Sequence, residues 1–459
     1  MGRIFGTDGV RGIANTELSC KLAMNVGRAA AMVVAEQIAR KPVILIGQDT
    51  RISSDMLRAA LAAGITSVGA DALLAGVLPT PAVSHLVAGG HAAAGIMLSA
   101  SHNPYEFNGI KIFGPGGQKL SDADEFEIER IVLDKAKPYT IRWGWELGRI
   151  KHVENLADGY IARITEAAEN LSGLRVAVDC SNGSAVATAG EIFARLGADA
   201  HLTHNQPNGV NINRDCGSTH MDGLVELVRR GGYDAGIAFD GDADRCLAVD
   251  ETGGLITGDQ LLAIFAQDMR ERGVLKHDTI VATIMSNLGL QKFAREHGFN
   301  LVTTKVGDRY VLEEMRKHGY NLGGEQSGHV ILSDHIATGD GQLTAIVLLD
   351  ILKKSGKKLS ELAGQMKVFP QVMQNIQADA VMKSALDIDA GAKQIIEDAK
   401  STLGSEGRIL VRPSGTEPLI RVMIEGSDKA QITALAQSVT EQLKERLSHN
   451  ENCKMLEGF

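Results

Sequence analysis

The sequence predicts an α/β protein with three similar mixed α/β domains around a central cleft and a smaller C-terminal α+β domain. Three observations predict it. The first is length: 459 residues, at about 150 per domain, point to about three domains. The second is a pattern that occurs three times: a β-branched run, a small polar turn, then an amphipathic helix. The copies are PVILIGQDTRISSDMLRAAL from Pro42, LRVAVDCSNGSAVATAGEIFARLG from Leu174 and DTIVATIMSNLGLQKFAREHG from Asp278. The third is a change of pattern near the end. There RILVRPSGTEPLIRVMIEG reads as two strands around a turn, and Ile432, Leu435, Val439 and Leu443 predict a helix over 429–447.

Each element has its reason. Near-continuous Val/Ile runs predict strands buried on both faces, and the strand–turn–helix order predicts βαβ units. Copies about a hundred residues apart mean repeated domains rather than a solenoid. The expected domains are 1–152, 153–253, 254–367 and 368–459. The helical stretch VENLADGYIARITEAAEN, from Val153, marks the first joint. KVFPQVMQNIQA, around Pro370, reads as a linker into the last domain. The tail SHNENCKMLEGF reads as frayed, and the segment around Trp143 and Trp145 matches no motif.

Composition narrows the function. Lys plus Arg is 47 against 56 Asp plus Glu, a net charge of −9 with no dense basic run. Nucleic acid is therefore not an expected partner, and any anion must be held by a few placed cations. The 51 glycines predict many tight turns. The N-terminus has no apolar signal segment, and the longest stretch without Asp, Glu, Lys or Arg contains Pro79 and Pro81. No membrane partner is expected, and the expected location is cytoplasmic. Five scattered cysteines without CxxC spacing predict reduced thiols and no zinc site.

Four strings carry chemistry. In GIMLSASHNPYEFNGIKIF, predicted strands over 95–98 and 109–113 flank a turn with Ser99, Ser101, His102 and Asn103; Lys111 sits in the second strand. Strand ends of open α/β sheets carry ligands, and Ser101 could be a nucleophile or phosphate carrier. The plain alternative is a hairpin turn rich in capping residues. In GIAFDGDADRCLAVDETG, Asp240, Asp242 and Asp244 would repel strongly without a cation, so Mg²⁺ or Ca²⁺ is implied. Arg245 would meet any phosphate that approaches. An EF-hand starting at Asp240 would reach Glu251 at position twelve, but Arg245 stands where Gly is needed and the flanks are strand-like. A metal-free acidic turn is the other alternative.

The third string is TKVGDRYVLEEM with NLGGEQSGHVIL. Lys305 and Arg309 sit at a strand-to-helix junction, and Glu325, Ser327 and His329 follow two glycines, a set suited to sugar hydroxyls. A flexible turn with incidental polar residues is equally open. The fourth is VRPSGTEPLIRV, where Arg412, Ser414, Gly415, Thr416 and Arg421 could form an anion nest or only a hairpin loop. His102 and His329 gain weight only from their polar loops. Arg3, Arg11 and the Asp49–Arg51 turn are open to the same two readings, phosphate contact or capped turn.

FGTDGVRG, SASHNP with NGIK, DGDADRC, GEQSGH and RPSGTEP, in this order across four domains, make the sequence resemble the α-D-phosphohexomutase superfamily over essentially its whole length. GEQSGH, NINRDCGSTH and TIMSNLGL resemble its glucosamine branch. The resemblance implies a phosphoserine at Ser101 and one Mg²⁺ per active site, held by Asp240, Asp242, Asp244 and a phosphoserine oxygen. It implies sugar contacts from Glu325 and Ser327, with Lys305 alongside. A grip on the non-reacting phosphate comes from Arg412, Ser414, Gly415, Thr416 and Arg421. Arg11, His102, Lys111, Arg245 and His329 would assist transfer. Glu106 and Phe107 depart from the common string, which puts loop packing there in doubt, not the nucleophile.

The implied activity is an intramolecular phosphotransfer. It interconverts the 6- and 1-phosphates of glucosamine through a bisphosphorylated sugar, which could also act as activator, and feeds amino-sugar nucleotide and cell-wall precursor synthesis. The implied partner is a phosphorylated hexosamine. Relatives are often dimers, so a homodimer is open while the sequence itself decides no assembly. Mannose and glucose branches of the same superfamily and a metal-dependent sugar phosphatase are the alternatives.

Overall fold

The computed structural model describes residues 3–6, 8–38, 40–414 and 418–448. The chain forms two compact units. One runs to Ser286 and resumes from Gly298 to Gln365; the other takes Asn287–His297 and the chain from Met366 onward.

The first unit holds three mixed sheets with one shared topology. In each, a central strand has a parallel neighbour on either side, and the third strand turns back as an antiparallel fourth. The four strands are Val43–Gln48, Asp71–Val77, Ala94–Leu98 and Phe107–Phe113 in the first sheet. They are Arg175–Asp179, Asp199–Thr203, Ala235–Phe239 and Cys246–Asp250 in the second. They are Thr279–Thr283, Asn300–Thr304, Leu322–Gly324 and Val330–Leu332 in the third. The first sheet adds Phe5–Gly6 and Gly9–Ile13 at one edge and Ile150–His152 at the other, giving seven strands. The second adds Leu255–Ile256, giving five.

The expected double-sided burial is present. Ala94–Leu98, Ala235–Phe239 and Thr279–Thr283 are buried at every position, because helices cover both faces of a mainly parallel sheet. The strand of each sequence copy, Val43–Gln48, Arg175–Asp179 and Thr279–Thr283, is the central strand of its sheet. The turn from third to fourth strand falls on SASHNP, DGDADR and EQSGH respectively. One topological position, repeated three times, therefore carries three of the four chemical strings.

In the second unit, Gln371–Gln377, Leu419–Gly426 and Gly407–Pro413 form an antiparallel sheet with Leu419–Gly426 central. Helices Ala390–Leu403 and Lys429–Ser448 build its core with Ile420, Val422 and Ile424. The segment expected as a linker around Pro370 is corrected: Gln371–Gln377 is a seven-residue strand, paired along its length. Its Gln- and Asn-rich composition hid it, since an edge strand need bury little on one face. The frayed-tail expectation for 449–459 lies outside the described residues. Trp143 and Trp145 stand 80% and 91% exposed beside a 3₁₀ turn. Among the described residues no helix is long and apolar enough to cross a membrane.

Candidate active site

Ser101 sits in a loop whose conformation is imposed from three sides. Its φ is 52°, left-handed for a non-glycine residue. Its N–H donates to Ser99 Oγ at 2.9 Å, and Ser99 Oγ donates to Asp49 Oδ2 at 2.6 Å. Arg51 Nε donates to that same oxygen at 2.8 Å. The other Arg51 donors reach the carbonyls of Ser101 at 2.9 Å, Asn103 at 2.8 Å, Phe107 at 3.0 Å, and Pro104. Asn213 Nδ2 holds the Ser101 and Asn103 carbonyls from the second sheet, at 2.8 and 3.0 Å. Asp49–Arg51 is thus the clamp of the serine loop.

The clamped loop presents Ser101 Oγ to Asp240 Oδ2 at 2.5 Å. Asp240, Asp242 and Asp244 each offer a carboxylate oxygen within 4.8 Å of the others, all buried. Burial, then Asp244 and Asp242, push the Asp240 carboxyl well up from its ordinary value. Burial would also raise Asp242, but Lys111 outweighs it and holds that carboxyl down. Lys111 Nζ donates to Asp242 at 2.7 Å and Asp244 at 3.2 Å, and Thr80 Oγ1 donates to Asp242 at 2.6 Å. Asp242 Oδ1 and Asp244 Oδ1 remain buried with no hydrogen-bond partner among the described residues. Orphaned carboxylate oxygens in a converging set are what a hard cation takes, so the residues fit a metal ion. The EF-hand alternative fails, because Glu251 accepts from Ser360 Oγ at 2.5 Å and from its N–H at 3.1 Å.

A line of alternating charge extends from this cluster. Lys111 also meets Asp8 at 3.1 Å; Lys119 bridges Asp8 at 2.6 Å and Asp308 at 2.7 Å; His329 Nε2 lies 3.5 Å from Asp308. Arg11 pairs with Asp8. Arg245 Nη1 donates to His102 Nδ1 at 3.1 Å, and that nitrogen lies 3.4 Å from Ser101 Oγ. Burial, then Arg245 and Arg11, bring His102 down to about 4, so at neutral pH it is an uncharged imidazole with its proton on Nε2. The acidic groups of Asp8, Asp240, Asp242, Asp244 and Asp308 are interleaved with the cations of Lys111, Lys119, Arg11 and Arg245. A divalent ion would add positive charge here and favour a phosphate.

Among the remaining expected residues, Glu325 is nearly buried. Burial raises its carboxyl, and Oε1 accepts from Gly307 N–H at 3.1 Å. Lys305 and Ser327 are exposed. In the second unit Arg412 and Arg421 face each other across paired strands, and Lys383 Nζ donates to the Ser414 carbonyl at 2.8 Å. Burial and then Arg421 lower Arg412, the electrostatics of a site that an anion would relieve. Gly415 and Thr416 lie outside the described residues.

Two sequence candidates have other duties. Arg3 makes a bidentate pair with exposed Asp134, and Arg309 pairs with Asp122 and, at 2.8 Å, with Glu125. Sequence reasoning did not single out Asp8, Thr80, Lys119, Asn213 or Asp308. Asp8, Asn213 and Asp308 lie inside strings it quoted, FGTDGVRG, NINRDCGSTH and TKVGDRYVLEEM, so a signal was available; Lys119 had none, because only folding joins it to two aspartates.

Family models match almost the whole chain. They are phosphoglucomutase/phosphomannomutase alpha/beta/alpha domains I, II and III at residues 2–138, 158–254 and 257–369, and the C-terminal domain at 354–442. A phosphoglucosamine mutase of Acetivibrio thermocellus is 50% identical over 97% of this chain and 100% of its own length. That of Caldicellulosiruptor saccharolyticus is 51% identical over 98% and 100%. Among solved structures, a phosphoglucomutase/phosphomannomutase family protein from Burkholderia thailandensis matches with TM-score 0.81 at 24% identity, over 97% of this chain and 98% of that one. An Aspergillus fumigatus N-acetylphosphoglucosamine mutase, in complex with GlcNAc-6P and magnesium, matches with TM-score 0.69 at 17% identity, over 96% and 95%. At those identities the likeness shows the fold.

Proposed function

We propose the activity of this chain from one premise: it belongs to the phosphoglucomutase/phosphomannomutase family. It is a mutase that interconverts glucosamine 6-phosphate and glucosamine 1-phosphate. Near-full-length relatives named phosphoglucosamine mutase, at about half identity, support that branch. The observation that carries the chemistry is Ser101 Oγ, 2.5 Å from the nearest of three converging aspartates, on a loop clamped by Arg51 and Asn213.

The phosphorylated form of Ser101 is the donor. Asp240, Asp242 and Asp244 would hold Mg²⁺, which offsets the charge spreading over the transferring phosphoryl group and the departing serine oxygen. The chain's own residues do the rest. Arg51 and Asn213 hold the serine oxygen in line, and Lys111 and Arg245 keep positive charge beside it. Arg11, His102 and His329 line the same network. Glu325 and Ser327, with Lys305, orient the sugar hydroxyl; Arg412, Ser414, Gly415, Thr416 and Arg421 bind the other phosphate. As the sugar oxygen bonds to phosphorus, the bond to Ser101 Oγ breaks, the proton of the sugar hydroxyl ends on the freed serine oxygen, and a bisphosphorylated sugar forms. That sugar turns over, and Ser101 takes the second phosphate back. Binding energy from the non-reacting phosphate orients the reacting end.

The test is label transfer with protein phosphorylated on Ser101. Label should appear in the hexosamine phosphate with almost no inorganic phosphate, and Ser101→Ala should lose essentially all turnover while staying folded. Stoichiometric inorganic phosphate would instead make this a phosphatase. Rates on glucosamine, glucose and mannose phosphates under identical conditions assign the branch; an equal or faster glucose rate would overturn the amino-sugar assignment.

A further inference from the structure

We propose that Asp179, His204 and Cys216 form a second metal site, for a thiophilic divalent cation of the zinc class, separate from the three-aspartate cluster. Their ligand atoms all lie within 4.8 Å of one another. Asp179 Oδ2 and His204 Nδ1 are 3.1 Å apart, close to the about 3.3 Å between oxygen and nitrogen ligands on a tetrahedral zinc. The third ligand needs at most about 1.3 Å of side-chain adjustment to reach the about 3.5 Å between sulfur and nitrogen or oxygen ligands on zinc. The donor set differs from that of the active site: one sulfur, one nitrogen and one oxygen against carboxylate oxygens alone, a set that selects zinc-like ions over magnesium.

The position is where open sheets carry ligands. Asp179 ends a central parallel strand, and His204 follows the end of its parallel neighbour, with Asp179 opposite Thr203 in register. Cys216 enters from the loop after it and is buried, while His204 is part-exposed and gives an ion its entry. Chain spacing concealed the site because two separate connections supply it.

The repeated topology sharpens the case. Asp49 directly follows the equivalent strand of the first sheet and accepts its i+2 N–H, from Arg51, at 3.0 Å; Asp179 accepts its i+2 N–H, from Ser181, at 2.8 Å. The second oxygen of Asp49 meets the Arg51 guanidinium. Among the described residues, the second oxygen of Asp179 meets no arginine. It accepts from Gly217 N–H at 2.9 Å and faces His204. A turn-capping aspartate explains the Ser181 and Gly217 bonds and pairs with His204, and the Cys216 thiol, beside Asn182 and Asn213, converges on the same point. A cation there supplies the charge that Arg51 supplies in the first sheet. Coordination takes the Cys216 thiolate, its proton leaving to solvent. The same loop carries Asn213, whose side chain holds the Ser101 carbonyl, so the second site lies one loop from the catalytic serine.

The test is a Co²⁺ titration of the full-length, Mg²⁺-saturated protein, followed by thiolate-to-metal charge-transfer absorption, which the aspartate cluster cannot produce. One equivalent should give the band in wild type and in Cys180→Ser; Zn²⁺ should displace it; Cys216→Ser should abolish it. His204→Ala, on the exposed side, should weaken binding about tenfold or more while the protein stays folded by circular dichroism. No band in wild type at millimolar Co²⁺, or a band that survives Cys216→Ser, overturns the site.

Discussion

Arg51 directs all five of its N–H donors at one carboxylate and four backbone carbonyls, three of them within 101–104. A lysine offers three donors from a single nitrogen and cannot reproduce that planar fork. Arg51→Lys should therefore leave several buried carbonyls unsatisfied, at about 1–3 kcal/mol each before relaxation, and misplace Ser101 Oγ. We expect kcat to fall about 100-fold with KM little changed. Steady-state kinetics check this, and a rise in KM at unchanged kcat would make Arg51 a substrate contact instead. At this scale much was legible. Ser101, the three aspartates, Lys111 and Arg245 stand out because charge and nucleophile types cluster in short strings. The clamp was not legible, since Arg51 donates to backbone carbonyls and those carry no side-chain identity.

At the scale of elements, the hairpin connection is the functional unit. Gly241 follows Asp240 where two such connections touch, and a Cβ there would lie 2.4 Å from the Ser101 carbonyl and 3.0 Å from Asn213 Nδ2. Gly241→Ala should push the serine loop off the carboxylates, lowering kcat by about 10- to 100-fold, with a stability loss of about 1–3 kcal/mol. Denaturant titration and turnover report both; a fully active variant would show that the loop has slack. Asp71 works differently, at the start of its strand. Burial would raise its carboxyl, but Lys41, Lys151 and the Arg149 N–H outweigh that and bring it to about 2. Folded below unfolded means its stabilisation is present above about pH 4 and is lost between about 4 and 2. With half-exposed lysine partners, the effect is on the order of 1 kcal/mol. Asp71→Asn should lower the urea midpoint at pH 6 and match wild type near pH 2. The strands themselves were readable from apolar runs, whereas Gln371–Gln377 was not, because its stability comes from pairing with Leu419–Gly426 rather than from its own residues.

At the scale of the whole molecule, buried charge joins the first and third sheets of the larger unit. Lys119, from the first, sits between Asp8 and Asp308. Lys119→Met should remove the cation that Asp8 and Asp308 share, leaving Asp8 to Lys111 and Arg11 and Asp308 to His329, at up to about 3–5 kcal/mol, and lower Tm by about 5 °C. Calorimetry at neutral pH checks this; an unchanged Tm would mean the pair is solvated in solution. The amino-acid order alone determined the three-fold repetition, the α/β class and the chemical strings, because hydrophobic period and turn chemistry are local properties of a chain. Only the tertiary structure decided which groups meet. It placed Asn213 on the serine loop, Lys119 between two aspartates, and an aspartate, a histidine and a cysteine from two connections at one strand end. Contacts between distant segments depend on how sheets stack, and no local pattern in the sequence records that stacking.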